Sequence, residues 1–188
     1  MTRYILAVVL GMWSMTVAKA QRLLPDQKGL EITVGMLSDD KIGNDYYINA
    51  GLTINGKNGN YRIFGLEYMH QYHEYKSLQI PLETYLAEGG YSFLLLGDYG
   101  RNITLNAGVT GVVGYESINR GEAMLYDGST ITTEDNFIYG VGGRLSFETY
   151  LSDRFVFLLQ GRIKALWGTD LRQFRPSAGQ VLGLIFNR

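Results

Sequence analysis

Residues 140–165 read GVGGRLSFETYLSDRFVFLLQGRIKA. Arg144, Ser146 and Glu148 stand at every second position, with Leu145, Phe147 and Thr149 between them. Past LSD, Gln160, Arg162 and Lys164 repeat the pattern. Glu67, Glu88 and Glu116 have similar alternating surroundings. Seven ionisable side chains on the polar faces of strands admit two chemistries. Carboxylates and cations could line a polar pore or a catalytic carboxylate set. They could equally meet as a salt-bridge and hydrogen-bond plug, since an unpaired charge in a low-dielectric interior is costly. The plug is the expectation, because a narrow barrel has little open lumen.

Both histidines fall in HQYHEY at 70–75. On a strand His70 and His73 point to opposite faces, so they share no metal without a bend. Outer-membrane lipid-modifying barrels use Ser/His/Glu sets, which makes His73, Glu74 and Ser77 worth naming, but no nucleophile elbow supports them. GVGG at 140–143 lies inside a strand pattern and lacks the strand–turn–helix setting of a dinucleotide site. SINRGEAMLYDGST at 117–130 has no Gly-Lys-Ser/Thr for a phosphate loop. Cysteine is absent, which removes thiolate chemistry and disulfides. No cofactor or metal is expected.

The elements that must position these residues are strands. Their expected extents are 29–37, 46–55, 61–72, 84–96, 103–115, 137–150, 154–167 and 178–188. The fifth is the clearest: Ile103, Leu105, Ala107, Val109, Gly111, Val113 and Tyr115 alternate with Thr104, Asn106, Gly108, Thr110, Val112, Gly114 and Glu116. Short connections near 55–60, 97–102 and 151–153 alternate with longer ones near 38–45, 73–83, 117–136 and 168–177. Asn-Gly pairs in NGKNGN at 55–60 tolerate the positive φ of a tight hairpin.

At 188 residues and a net charge of −1, the chain suits one domain and offers no general electrostatic case for nucleic acid. At the N-terminus, Arg3, an apolar run from Ile5 to Ala18 and Ala18-Lys19-Ala20 form a signal-peptide pattern. Residues 1–20 are expected to be cleaved before Gln21, leaving 21–188 as one barrel domain. Beyond that segment no apolar run is long enough for a membrane helix. A membrane role therefore needs strands.

Hairpin-linked strands, several longer than the usual five or six residues, suggest an up-and-down barrel. A soluble barrel would put its apolar face inside; a membrane barrel reverses this. The polar face here is mostly Gly, Thr, Asn and Ser, where a solvated exterior would carry many more charges. Tyr46, Tyr68, Tyr115, Tyr139 and Trp167 cap the apolar face on the long-loop side, with Phe93, Phe155 and Phe186 towards the other. The reading is an all-β, eight-stranded antiparallel up-and-down transmembrane β-barrel of outer-membrane type. Short turns and both mature termini would be periplasmic, and the longer loops external.

Several blocks go further: LPDQKGLEI at 24–32, NDYYINAGLTINGKNGNY at 44–61, IPLETYLAEGGYSF at 80–93, SINRGEAMLYDG at 117–128, NFIYGVGGRLSFETYLSDRF at 136–155 and LQGRIKALWGTDLRQFRPSAG at 159–179. With these the chain resembles the conjugative-transposon TraO family. The resemblance implies a component of a conjugal DNA-transfer apparatus in Gram-negative cells, with no enzymatic activity, no cofactor and no assigned functional residue. Expected partners are outer-membrane lipid and other conjugal transfer proteins, not nucleic acid. Arg120, Glu122, Tyr126 and Asp127 on the 117–136 loop are candidate contacts, as is the exposed stretch YHEYKSLQIP. A small lipid-modifying enzyme and a minor porin stay open as alternatives.

Overall fold

The computed structural model describes residues 24–37, 45–75, 78–98, 102–119, 136–152, 154–169 and 172–186. Its strands are β1 (Lys28–Leu37), β2 (Tyr46–Asn55), β3 (Tyr61–Tyr75), β4 (Leu78–Gly97), β5 (Ile103–Ile118), β6 (Asn136–Tyr150), β7 (Phe155–Trp167) and β8 (Phe174–Phe186). Each pairs antiparallel with its chain neighbours, and β1 pairs β8 to close an eight-stranded barrel. The residues of the expected signal peptide, and Arg120, Glu122, Tyr126 and Asp127, lie outside the described residues.

Period-two patterning decides which face is which. On β5 the odd residues Val109 and Val113 face out, while Thr104, Asn106 and Glu116 are buried. On β1 Leu30, Ile32, Val34 and Met36 are all exposed. Leu66, on β3, is 69 % exposed to the outside, whereas Lys164, on β7, is 1 % exposed. A water-soluble fold reverses that ordering. Ile103 and Tyr115 both face out at opposite ends of β5. Twelve residue-to-residue steps at strand rise and a barrel tilt give about 30 Å of height, enough to cross a hydrocarbon core.

Two connections differ from expectation. The stretch 73–83 is not a long loop: β3 runs to Tyr75, β4 starts at Leu78, and the ladder continues to Tyr75↔Leu78. Pro81 lies within this stretch, yet the geometry around it spares the ladder. The Tyr72 N–H, opposite Pro81, points away from β4 and donates to Asp45 Oδ1 at 3.0 Å. That makes Tyr72–Pro81 a non-hydrogen-bonded pair, so Pro81 gives up only an outward donor. β2 stops pairing at Tyr46↔His70 and β5 at Leu82↔Ile118, so the rest of the hairpin projects beyond the barrel. Asp45 caps one of its edges and Pro81 blunts the other.

The second correction concerns 168–177. Strand β8 begins at Phe174, which brings Arg175 and Ser177 into the lumen. The tight hairpin at 55–60 turns on Asn58 (φ 63°) and Gly59 (φ 83°), the left-handed pair that such a turn needs.

Candidate functional site in the barrel lumen

The interior is stacked in layers along the barrel axis. At the loop end Glu116 accepts hydrogen bonds from Thr169 Oγ1 (2.7 Å) and from the Arg175 guanidinium. Arg175 Nη1 also donates to Thr84 Oγ1 at 3.1 Å. Beneath lies an apolar layer of Leu37, Tyr47, Met69, Leu86, Val112, Ile138 and Leu166, one residue from each of β1 to β7. The Tyr47 ring fits because its neighbours on β1 and β8 are Gly35 and Gly179. A Cβ at Gly35 would lie 2.4 Å from the Tyr47 ring, and one at Gly179 would lie 2.4 Å from its hydroxyl.

The next layer holds the ion pairs. Arg162 on β7 reaches across the lumen to Glu67 on β3 and to Glu88 on β4, the latter through two contacts of 2.8 Å. Lys164 contacts Glu67 and lies 3.5 Å from Glu88. Asn49 Nδ2 donates to Glu67 Oε2 (3.1 Å) and Glu88 Oε1 (3.0 Å). The Arg162 guanidinium also sits 5.3 Å from the Tyr47 ring centroid, joining the charged and apolar layers. Two carboxylates and two cations thus neutralise one another between opposite walls.

Arg144 and Arg162 are direct cross-strand partners, an unfavourable like-charge pair in isolation. They turn to different layers. Arg144 Nη2 donates to Tyr61 Oη at 3.1 Å and lies 3.9 Å from Glu31 Oε2. Tyr61 Oη in turn donates to Glu148 Oε1 at 2.6 Å. Glu148 also accepts from Tyr150 Oη (3.1 Å), Ser146 Oγ (3.3 Å) and Thr104 Oγ1 (3.4 Å), so hydroxyls rather than a cation hold it. An apolar cluster of Tyr150, Val156, Leu158 and Val181 follows. A cavity of about 30 Å³ opens at the short-turn end, lined in part by Glu31, Tyr61 and Glu148.

Glu67, Glu88, Arg144, Arg162 and Lys164 therefore share the central lumen, Glu148 lies below them, and Glu116 stands apart above the apolar layer. Sequence reasoning missed Glu31, Asn49, Tyr61 and Arg175 as members of this network. Glu31 had a signal, since it interrupts Leu30 and Ile32 at an inward position. Arg175 had none, because GTDLRQFRP reads as loop.

On the outer wall Tyr46, Tyr68 and Tyr85 form part of an aromatic belt, with ring centroids 6.3 Å (Tyr46–Tyr68) and 5.3 Å (Tyr68–Tyr85) apart. Tyr139 stacks on Trp167 at 6.1 Å. His70 is packed into this belt, 4.8 Å from Tyr72 and 5.4 Å from Tyr46. Among the described residues no group of three or more His, Cys, Asp or Glu is arranged to hold a metal ion.

An apolar exterior, an aromatic belt and a filled polar interior define an eight-stranded transmembrane β-barrel of outer-membrane type. Among solved structures, the Yersinia pestis attachment invasion locus protein Ail shares this fold, with a TM-score of 0.55 at 12% identity, covering 87% of this chain and 100% of Ail. Ail in complex with the heparin analogue sucrose octasulfate gives 0.56 at the same identity and coverage. De novo designed transmembrane barrels also align, with a TM-score of 0.46 at 12% identity over 87% of this chain and 98% of the design. A search of curated proteins returned no significant match. The family model for the conjugative transposon protein TraO matches residues 24–187, and the chain belongs to that family.

Proposed function

We propose that this barrel is an outer-membrane structural and interaction component of the conjugal transfer apparatus, without catalytic activity and without a through-going pore. Family membership supports a place in a conjugative-transposon system. The observation that carries the mechanical part is the filled lumen: an ion-paired layer of Glu67, Glu88, Arg162 and Lys164 beneath a seven-residue apolar layer. DNA does not fit through a space closed by side chains from opposite walls. The chain would then act through its rims: the projecting β3–β4 hairpin and the 117–136 segment on one side, and the short turns on the other. We further propose that residues 1–20 are a cleaved export signal. The short turns and both termini then face the periplasm, where other transfer proteins are available as partners. Short turns on the side of the termini match the periplasmic side of outer-membrane barrels.

The test is a deletion strain assayed for transfer frequency, with membrane fractionation of a tagged chain. Transfer should fall in the deletion strain and return on complementation, with the tag in the outer-membrane fraction. Tagged protein found soluble in the periplasm, or unchanged transfer on deletion, would overturn the reading. A shifted lipid profile after alanine substitution of His73 or Glu74 would instead favour an enzyme.

A further inference from the structure

We propose that the rim around the β2–β3 turn is a binding site for the phosphate of an anionic membrane phospholipid; the proposal rests on the membrane placement above. Lys28 pairs with Ile54, Ile54 pairs with Arg62, and Arg62 pairs with Tyr91, so β1 to β4 present one outward row at the short-turn end. Lys28 and Arg62 are exposed and stand two strands apart, roughly 10 Å between backbones. Exposed Lys57 adds a third cation from the turn between them. Asp26 is the nearby described carboxylate.

The row lies at the end of the apolar wall: Leu30, Leu52 and Phe64 sit one step further along the same strands and are exposed towards lipid. A cation here extends its apolar stem along that wall and holds its charge at headgroup level. Neither the Lys28 nor the Arg62 side chain makes an ion pair or hydrogen bond among the described residues, whereas the lumen cations are all engaged with partners. Tyr91 brings a hydroxyl towards the same turn: a Cβ on Gly56 would lie 3.6 Å from its Oη. An ammonium, a guanidinium fork and a phenol above an apolar wall match a phosphodiester with acyl chains attached. A free phosphate would leave the apolar wall unused.

Each cation beside an anionic leaflet strengthens binding about fivefold. The experiment uses the exported chain purified from membranes and placed in phosphatidylcholine bilayers containing a minor fraction of phosphatidylglycerol. Co-purifying lipid is quantified after extraction. The wild type should retain phosphatidylglycerol enriched roughly tenfold or more over the bulk, and Lys28→Gln with Arg62→Gln should abolish the enrichment. Ile54→Glu, which keeps both cations but sets a carboxylate between them, should do the same. Arg154→Gln, at the rim just before β7, should leave the enrichment unchanged. Equal loss in Arg154→Gln, no enrichment in the wild type, or displacement by millimolar inorganic phosphate would each overturn the site. Preferential retention of lipopolysaccharide in place of phosphatidylglycerol would do so as well. Gel mobility and protease protection read insertion separately. Failure to insert contradicts the membrane reading, and insertion without enrichment contradicts the lipid site alone.

Discussion

Arg162 bridges Glu67 and Glu88 across the lumen, and its removal tests the ion-paired layer. In Arg162→Met the methionine retains much of the side-chain volume but none of the charge. Glu67 and Glu88 are then left with Lys164 and Asn49 as their polar partners across the layer. Breaking a buried pair by deleting one member costs about 3–5 kcal/mol, because a charge stays buried uncompensated. Loss of the contact with the Tyr47 ring adds about 0.5–2 kcal/mol. Replacing the whole set, with Glu67→Gln, Glu88→Gln, Arg162→Met and Lys164→Met together, removes the uncompensated charge. Most of the loss should return, to within roughly 2 kcal/mol of wild type. Urea unfolding in lipid vesicles, followed by Trp167 fluorescence and heat-modifiable gel mobility, measures all three proteins. Exposed Arg154→Met, expected within about 0.5 kcal/mol of wild type, is the control. A cost for Arg162→Met no larger than the control, or a quadruple variant worse than the single one, would refute the mutual neutralisation.

Other positions give independent outcomes. Glu148→Gln should shift stability by less than about 1.5 kcal/mol, since two of its four hydroxyl donors keep an oxygen to bond and the other two can turn to accept from the amide N–H; the same urea assay reads it. Gly179→Val places carbon where the Tyr47 hydroxyl lies, so the barrel should fail to fold at growth temperature, seen as loss of the heat-modifiable band. Leu66→Arg puts a cation on the lipid face and should cost about 2–4 kcal/mol if Leu66 lies near the bilayer midplane. Arg144→Leu should destabilise the barrel far more than Leu145→Ile, because Arg144 is buried among Tyr61 and Glu31 while Leu145 is half-exposed to lipid. Near-equal losses in gel mobility would reverse the assignment of faces.

The legibility of this fold varied along the chain for physical reasons. Strand β5 was plain because Ile103, Leu105, Val109 and Val113 alternate with Thr104, Asn106, Thr110 and Gly114, with Gly111 and Val112 the one break in the pattern. Arg144, Glu148, Arg162 and Lys164 were readable as inward-facing for the same reason. What alternation does not encode is the partner. Arg162 chooses Glu67 and Glu88 over its cross-strand neighbours because the barrel curves those walls face to face, and curvature has no local signature. The start of β4 was hidden by Pro81, whose outward nitrogen makes it harmless there. Arg175 lay in a run that reads as loop before Pro176, and only pairing with β7, Lys164 opposite Arg175, draws it into the wall. Glu148 invited a cationic partner and received hydroxyls, because Tyr61 and Tyr150 approach from the same end.

The proposed role requires a membrane barrel closed by its own side chains, one that serves transfer without conducting. Single-molecule recording of the purified chain in planar bilayers reads that closure. The wild type should give a flat trace at moderate voltage. Reproducible ohmic steps from the wild-type barrel would contradict it.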